Sequence, residues 1–109
     1  MASKNTISLK RQMKTSAKLR DAKKRIHIKA DEGDPKAQRN IGEKYFHGEG
    51  VTKNYKSAVK WYRLAADQGD SVAQRMLGNR YYFGQGVTKD YKFAVKWYRL
   101  AADQGDAVA

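Results

Sequence analysis

Eleven residues, KWYRLAADQGD, occupy positions 60–70 and return letter for letter at 96–106, a spacing of 36. Residues 34–69 and 70–105 align without a gap, with 25 of 36 positions identical. A period between about 20 and 50 residues is the signature of a solenoid, in which one supersecondary unit stacks on its own copy. Residues 106–109 begin a third copy, so that Ala37, Ala73 and Ala109 are successive equivalents.

One unit reads as two helices. Asp34 precedes Pro35, an N-cap followed by proline at the first helical position, where its missing N–H costs nothing. Asp70 and Ser71 repeat the start. Ala37, Ile41 and Tyr45 recur every fourth residue, as do Ala73, Leu77 and Tyr81, which gives each first helix an apolar stripe. Gly42 and Gly78 fall mid-helix, where glycine costs about 1 kcal/mol against alanine. Its presence in both copies predicts a neighbouring helix in close approach. The turns GEGV (48–51) and GQGV (84–87) end these helices. Asn54 and Asp90 cap the second helices, whose expected inner faces are Ala58, Trp61, Tyr62, Ala65 and Ala94, Trp97, Tyr98, Ala101. Gly69 and Gly105 suit a left-handed C-terminal stop.

The pattern Ala37…Ile41-Gly42…Tyr45…Gly48-x-Gly50-Val51…Asn54…Ala58…Trp61-Tyr62…Ala65-Ala66…Gly69 resembles the Sel1-like repeat family, a relative of the tetratricopeptide repeats. The second unit resembles it further, with Leu77-Gly78 and Asp90 at the matching places. The resemblance implies an all-α, right-handed α-α superhelix of two full repeats, 34–69 and 70–105. A degenerate capping helix is expected over 17–33, since Ala22, Ala30, Asp31 and Gly33 lie 36 residues before Ala58, Ala66, Asp67 and Gly69. Residues 1–16 read as a basic, flexible leader and 106–109 as the start of a truncated third repeat.

The resemblance implies a non-enzymatic scaffold that binds a protein or peptide on its concave face, without a cofactor. By tetratricopeptide geometry, the ligand-facing positions are Lys36, Arg39, Asn40, Glu43, Phe46 and His47, with Val72, Arg75, Met76, Asn79, Tyr82 and Phe83 in the second copy. Five of these six pairs differ between the copies, and only Arg39/Arg75 is shared. Met76 and Phe83 are the apolar members that speak for a groove, because exposed apolar side chains otherwise invite aggregation.

The residues themselves carry no reaction chemistry. The glycines of GEG and GQG follow a helix, whereas a phosphate loop needs a strand before it and a helix N-terminus with lysine after it. His27 and His47 have neither cysteine partners nor His-x-x-x-His spacing, so a metal site is not expected. There is no cysteine, which removes thiol nucleophiles and disulfides, and most carboxylates fall at helix caps.

The net charge is +12, and +7 of it lies in residues 1–33. Such an arm attracts acidic partners. An acidic protein is the leading expectation, and a nucleic acid held by the arm is the alternative. No apolar run approaches the roughly 20 residues that span a bilayer. The leader lacks the apolar core of a secretory signal, so the expected location is the cytoplasm, with mitochondria as the alternative suggested by its basic, acid-poor start. Two repeats are fewer than the three or so that usually make an array stable. Trp97 and Ala101 are therefore expected to lie uncovered, and the chain to self-associate there or to belong to a longer array.

Overall fold

The computed structural model describes residues 26–105. The leader, the earlier part of the expected capping helix and the start of the third copy lie outside those residues. Four helices of equal length follow one another: α1 (Pro35–His47), α2 (Tyr55–Asp67), α3 (Ser71–Phe83) and α4 (Tyr91–Asp103). A short helical stretch over 26–31 precedes them, and there are no strands among the described residues. Each numbered helix packs against the next, so α1/α2 and α3/α4 are hairpins and α2/α3 is the joint between repeats. The chain is thus an all-helical solenoid.

The helix starts are set locally. Asp34, Asn54, Asp70 and Asp90 have extended backbones, and each carboxylate or amide oxygen accepts from an N–H of the first turn, at 2.9–3.3 Å. Such caps each contribute about 1 kcal/mol. α1 and α3 end where Gly48 and Gly84 turn left-handed and donate to the carbonyls of Lys44 and Arg80. The later turn glycine of the second copy has a further duty. A Cβ on Gly86 would lie 2.5 Å from the carbonyl oxygen of Tyr55, so this turn rests on the start of α2 and joins the two repeats.

Within each hairpin the spacing is set by a tyrosine lying on a glycine. A Cβ on Gly42 would meet the Tyr62 ring at 2.8 Å and the Ala58 carbonyl oxygen at 3.3 Å. Gly78 meets the Tyr98 ring at the same 2.8 Å and the Ala94 carbonyl oxygen at 3.2 Å. The mid-helix glycines thus offset their poor helix propensity by seating a ring that no side chain would allow.

Between repeats, Ala58, Val59, Tyr62, Ala65 and Ala66 of α2 close on Ala73 and Leu77 of α3, with Trp97 reaching back from α4. Small side chains bring the helices close, and the aromatic rings fill the remaining space. A smaller cluster, Ala30, Ala37 and Ile41, with Ile26, Tyr45 and Trp61 against it, repeats this arrangement one unit earlier. Trp97 therefore points toward the preceding unit, Trp61 packs on the earlier cluster, and Tyr62 points toward the following unit. The expectation that Trp97 and Ala101 lie uncovered is corrected. Trp97 is 8 % and Ala101 0 % exposed, and Trp97 packs with residues of α2 and α3.

Glutamines bridge the same joints. Gln38 Nε2 donates to the Ala30 carbonyl and Gln74 Nε2 to that of Ala66, each at 3.1 Å. Gln68 Nε2 donates to Gln38 Oε1 and Gln104 Nε2 to Gln74 Oε1, each at 2.7 Å. Both Gln38 and Gln74 are buried, so their amides need these partners.

Two predictions follow from the joint. Gln74→Ala removes a buried amide that serves Ala66 on one side and Gln104 on the other. It should lower unfolding stability by about 1–3 kcal/mol in urea titrations, whereas Gln104→Ala, with its exposed side chain, should cost less. The second concerns alkali. Burial, and after it the Glu43 carboxylate, push the Tyr62 phenol up to about 12, against about 10 in an unfolded chain. The folded state thus favours the protonated phenol. Its contribution is full below about pH 10 and is lost as pH rises toward about 12. Tyr62→Phe should flatten that part of the stability-against-pH curve, and an unchanged slope would assign the alkaline loss to other groups.

Candidate protein-interaction surface

The twelve sequence-predicted positions lie on α1 and α3, and the structure separates them into three groups. Lys36, Asn40 and His47 on α1 and Tyr82 and Phe83 on α3 are exposed. Phe83 is 60 % and Tyr82 45 % exposed, and their rings meet edge to face at 5.0 Å between centroids. Glu43, Val72 and Arg75 are half-buried. The remaining four are occupied within the fold.

Those four have definite structural partners. Arg39 Nε lies 2.9 Å from Asp70 Oδ2, a half-buried ion pair that ties α1 to the cap of α3. The Tyr98 hydroxyl donates to Asn79 Oδ1. Phe46 stacks on Tyr55 with centroids 5.3 Å apart and carries the Arg80 guanidinium 3.8 Å above its ring. Met76 is half-buried against the main apolar cluster. The expectation of an exposed Met76 is therefore corrected: it packs on the core, and Phe83 is the exposed apolar residue of that pair.

Arg80 was not among the expected positions, since its exchange for Lys44 in the first copy reads as conservative. Its surroundings show otherwise. The side chain is 6 % exposed, and burial lowers its pKa from the ordinary arginine range. A flat, weakly hydrated guanidinium can stack on an aromatic face in such a place, and an ammonium is a poor substitute. Tyr62, Tyr55 and Tyr98 are the phenols near enough to influence its charge.

The second copy holds the same aromatic pair without that cation among the described residues. Tyr82 and Tyr91, equivalents of Phe46 and Tyr55, lie 5.1 Å apart, and Tyr91 is 53 % exposed. Lys89 Nζ lies 5.0 Å from the Tyr91 centroid, as Lys53 does from that of Tyr55 in the first copy.

Among the described residues, no group of three or more His, Asp or Glu side chains gathers in a way that could hold a metal ion. A small cleft is lined by Ile26, His27, Lys44, Glu49, Gly50 and Val51. It lies where Ile26 takes the place that Tyr62 fills at the next joint. No described helix is long and apolar enough to cross a membrane.

The described surface thus consists of exposed polar and aromatic side chains on a stacked scaffold, and comparison with known proteins bears on the scaffold. The Sel1 repeat family model matches residues 35–70 and 71–106. Comparison with the curated proteins gives no match. Among solved structures, the chain is similar to a protective antigen of uropathogenic Escherichia coli strains displaying an SLR fold, with 44 % identity and a TM-score of 0.73 over 74 % of this chain and 17 % of that one. It is also similar to a Sel1 repeat protein from Oxalobacter formigenes, with 40 % identity and a TM-score of 0.73 over 73 % of this chain and 61 % of that one. Cysteine rich protein B of Helicobacter pylori is 26 % identical, with a TM-score of 0.76 over 80 % of this chain and 65 % of that one. The chain spans less than two thirds of the length of each of these proteins. Sel1-repeat proteins are in general non-catalytic protein-interaction scaffolds. With two consecutive repeats matched over most of its length, this chain belongs to the Sel1-repeat family.

Proposed function

We propose that this chain is an adaptor that binds a protein or peptide segment along the exposed sides of α1 and α3. The observation that carries the reading is Phe83. It is the most exposed large apolar side chain among the described residues, and it stands where the two copies differ, His47 being its counterpart. A scaffold that conserves its packing and varies an exposed aromatic has put its specificity there. Lys36, Asn40 and His47 supply the polar side of the same surface, while Tyr82 extends its aromatic side. The +7 charge of residues 1–33 favours an acidic partner and speeds its encounter. The alternative, a nucleic acid held by that arm, rests on the charge alone.

The test is affinity capture of partners by the full chain, by His47→Glu/Phe83→Glu, and by the chain lacking residues 1–25. Both substituted side chains are exposed, so the double variant should keep its helical signal and melting temperature. Met76→Glu would not serve, because it places a carboxylate against the core and should cost about 1–3 kcal/mol of stability. The proposal expects a protein partner that the double variant loses, by tenfold or more, and the truncated chain keeps. Retention that depends on residues 1–25, falls steeply with salt and disappears on nuclease treatment would favour the nucleic-acid alternative.

A further inference from the structure

Arg80 is a buried cation with no counter-ion among the described residues. It is 6 % exposed, its guanidinium lies 3.8 Å above the Phe46 ring, and its Nε has no hydrogen-bond partner. Among the described residues no acid comes within the 4.0 Å of an ion pair with it. The phenols that influence its charge, those of Tyr62, Tyr55 and Tyr98, are neutral at pH 7 and cannot supply the missing negative charge. A buried charge is normally paired, because an unpaired one gives up its hydration without return.

The surroundings of this cation connect it to the surface of the adaptor reading. Phe46, beneath the guanidinium, meets the exposed His47 ring edge to face, with centroids 4.9 Å apart. Phe83 follows Arg80 by three residues, about one turn further along the same side of α3. Arg80 thus adjoins both exposed side chains at which the copies differ most. Phe46 covers one face of the guanidinium and leaves its N–H edge. The two Nη nitrogens of that edge have no hydrogen bond to a described residue and are not fully shut away. They form a planar fork, which a carboxylate accepts in bidentate fashion.

We infer that Arg80 anchors a carboxylate-binding site, on which the partner segment places an aspartate or glutamate side chain. The inference rests on the adaptor reading for the segment and adds the residue type that the segment must carry. The carboxylate brings the charge that the fold leaves out, where water competes poorly for the guanidinium. A side chain fits better than a chain end, because a segment that touches both His47 and Phe83 continues on either side of Arg80. A lysine in place of Arg80 would keep the charge and lose both the stacked plane and the fork. Glu43 is the competitor within the chain, since its carboxylate acts on the Tyr62 phenol without pairing with Arg80.

The probe is the tripeptide acetyl-Ala-Glu-Ala-amide, added to the isotope-labelled full chain at constant ionic strength and followed by NMR. The basic leader attracts any anion, so the readout is the Arg80 side-chain signal, assigned by its loss in Arg80→Met, together with the backbone signals around it. A saturable shift is expected, and none from the matching Gln peptide. Arg80→Lys should weaken binding about tenfold or more, because the bidentate fork is lost. Arg80→Met, which puts an apolar chain in a buried place and should fold, should abolish it. Glu43→Gln should tighten binding roughly 2–5-fold, the scale of one partly exposed charge removed. No saturable shift, an equal shift with the Gln peptide, or binding unchanged in Arg80→Met would overturn the inference. So would binding that appears only in Glu43→Gln, because Glu43 would then be the arginine's own counter-ion. Tighter binding of inorganic phosphate, or of acetyl-Ala-Ala-Ala with a free carboxyl end, would overturn the assignment to an acidic side chain. Partner capture without the peptide shift would remove this inference and keep the adaptor reading, and the shift without capture would do the reverse.

Discussion

A tyrosine ring seated on a glycine sets the geometry on which the other contacts depend. Tyr62 lies on Gly42 and Tyr98 on Gly78, each closer than any Cβ would permit. This contact fixes how near the two helices of a hairpin lie, and hence where the next residues along α2 and α4 point. With Tyr62 committed to its glycine and to the following repeat, the adjacent Trp61 turns to the preceding unit. Trp97 does the same one repeat later and completes the main cluster with Ala58, Ala73 and Leu77. The glutamine bridges then form between elements already in register.

The repeat also separates scaffold from surface. Positions that set helix spacing are the same in both copies, while the exposed ends of α1 and α3 differ, with His47 against Phe83 as the sharpest case. The exchange of Lys44 for Arg80 belongs to neither class. It sets a guanidinium on the Phe46 ring at the joint between the two repeats. Family membership places the chain among proteins that are in general interaction scaffolds.

Much of this was legible in the sequence because it is local. A cap needs one side chain and the next three N–H groups, so Asp34, Asn54, Asp70 and Asp90 announce themselves. The mid-helix glycines signalled close approach, although which ring would lie on them was hidden. Adjacent positions on a helix differ by about 100°, so Trp61 and Tyr62 share one apolar stripe while facing opposite neighbours. Periodicity cannot divide them. The roles of Arg39, Asn79, Met76 and Arg80 were likewise out of reach, since each is decided by a residue from another helix. Arg39 meets the cap Asp70, Asn79 receives a hydroxyl from Tyr98, and Arg80 finds Phe46 34 positions earlier.

The central claim, that ring-on-glycine contact governs the hairpin, is tested most directly by a double-mutant cycle on Gly42→Ala and Tyr62→Leu, followed by urea unfolding. Alone, Gly42→Ala should destabilise by about 1–3 kcal/mol through overpacking, despite the roughly 1 kcal/mol that alanine gains in helix propensity. Once the Tyr62 ring is gone, the same alanine should be neutral or stabilising, a coupling of at least about 1 kcal/mol. Additive effects, within about 0.5 kcal/mol, would contradict the account.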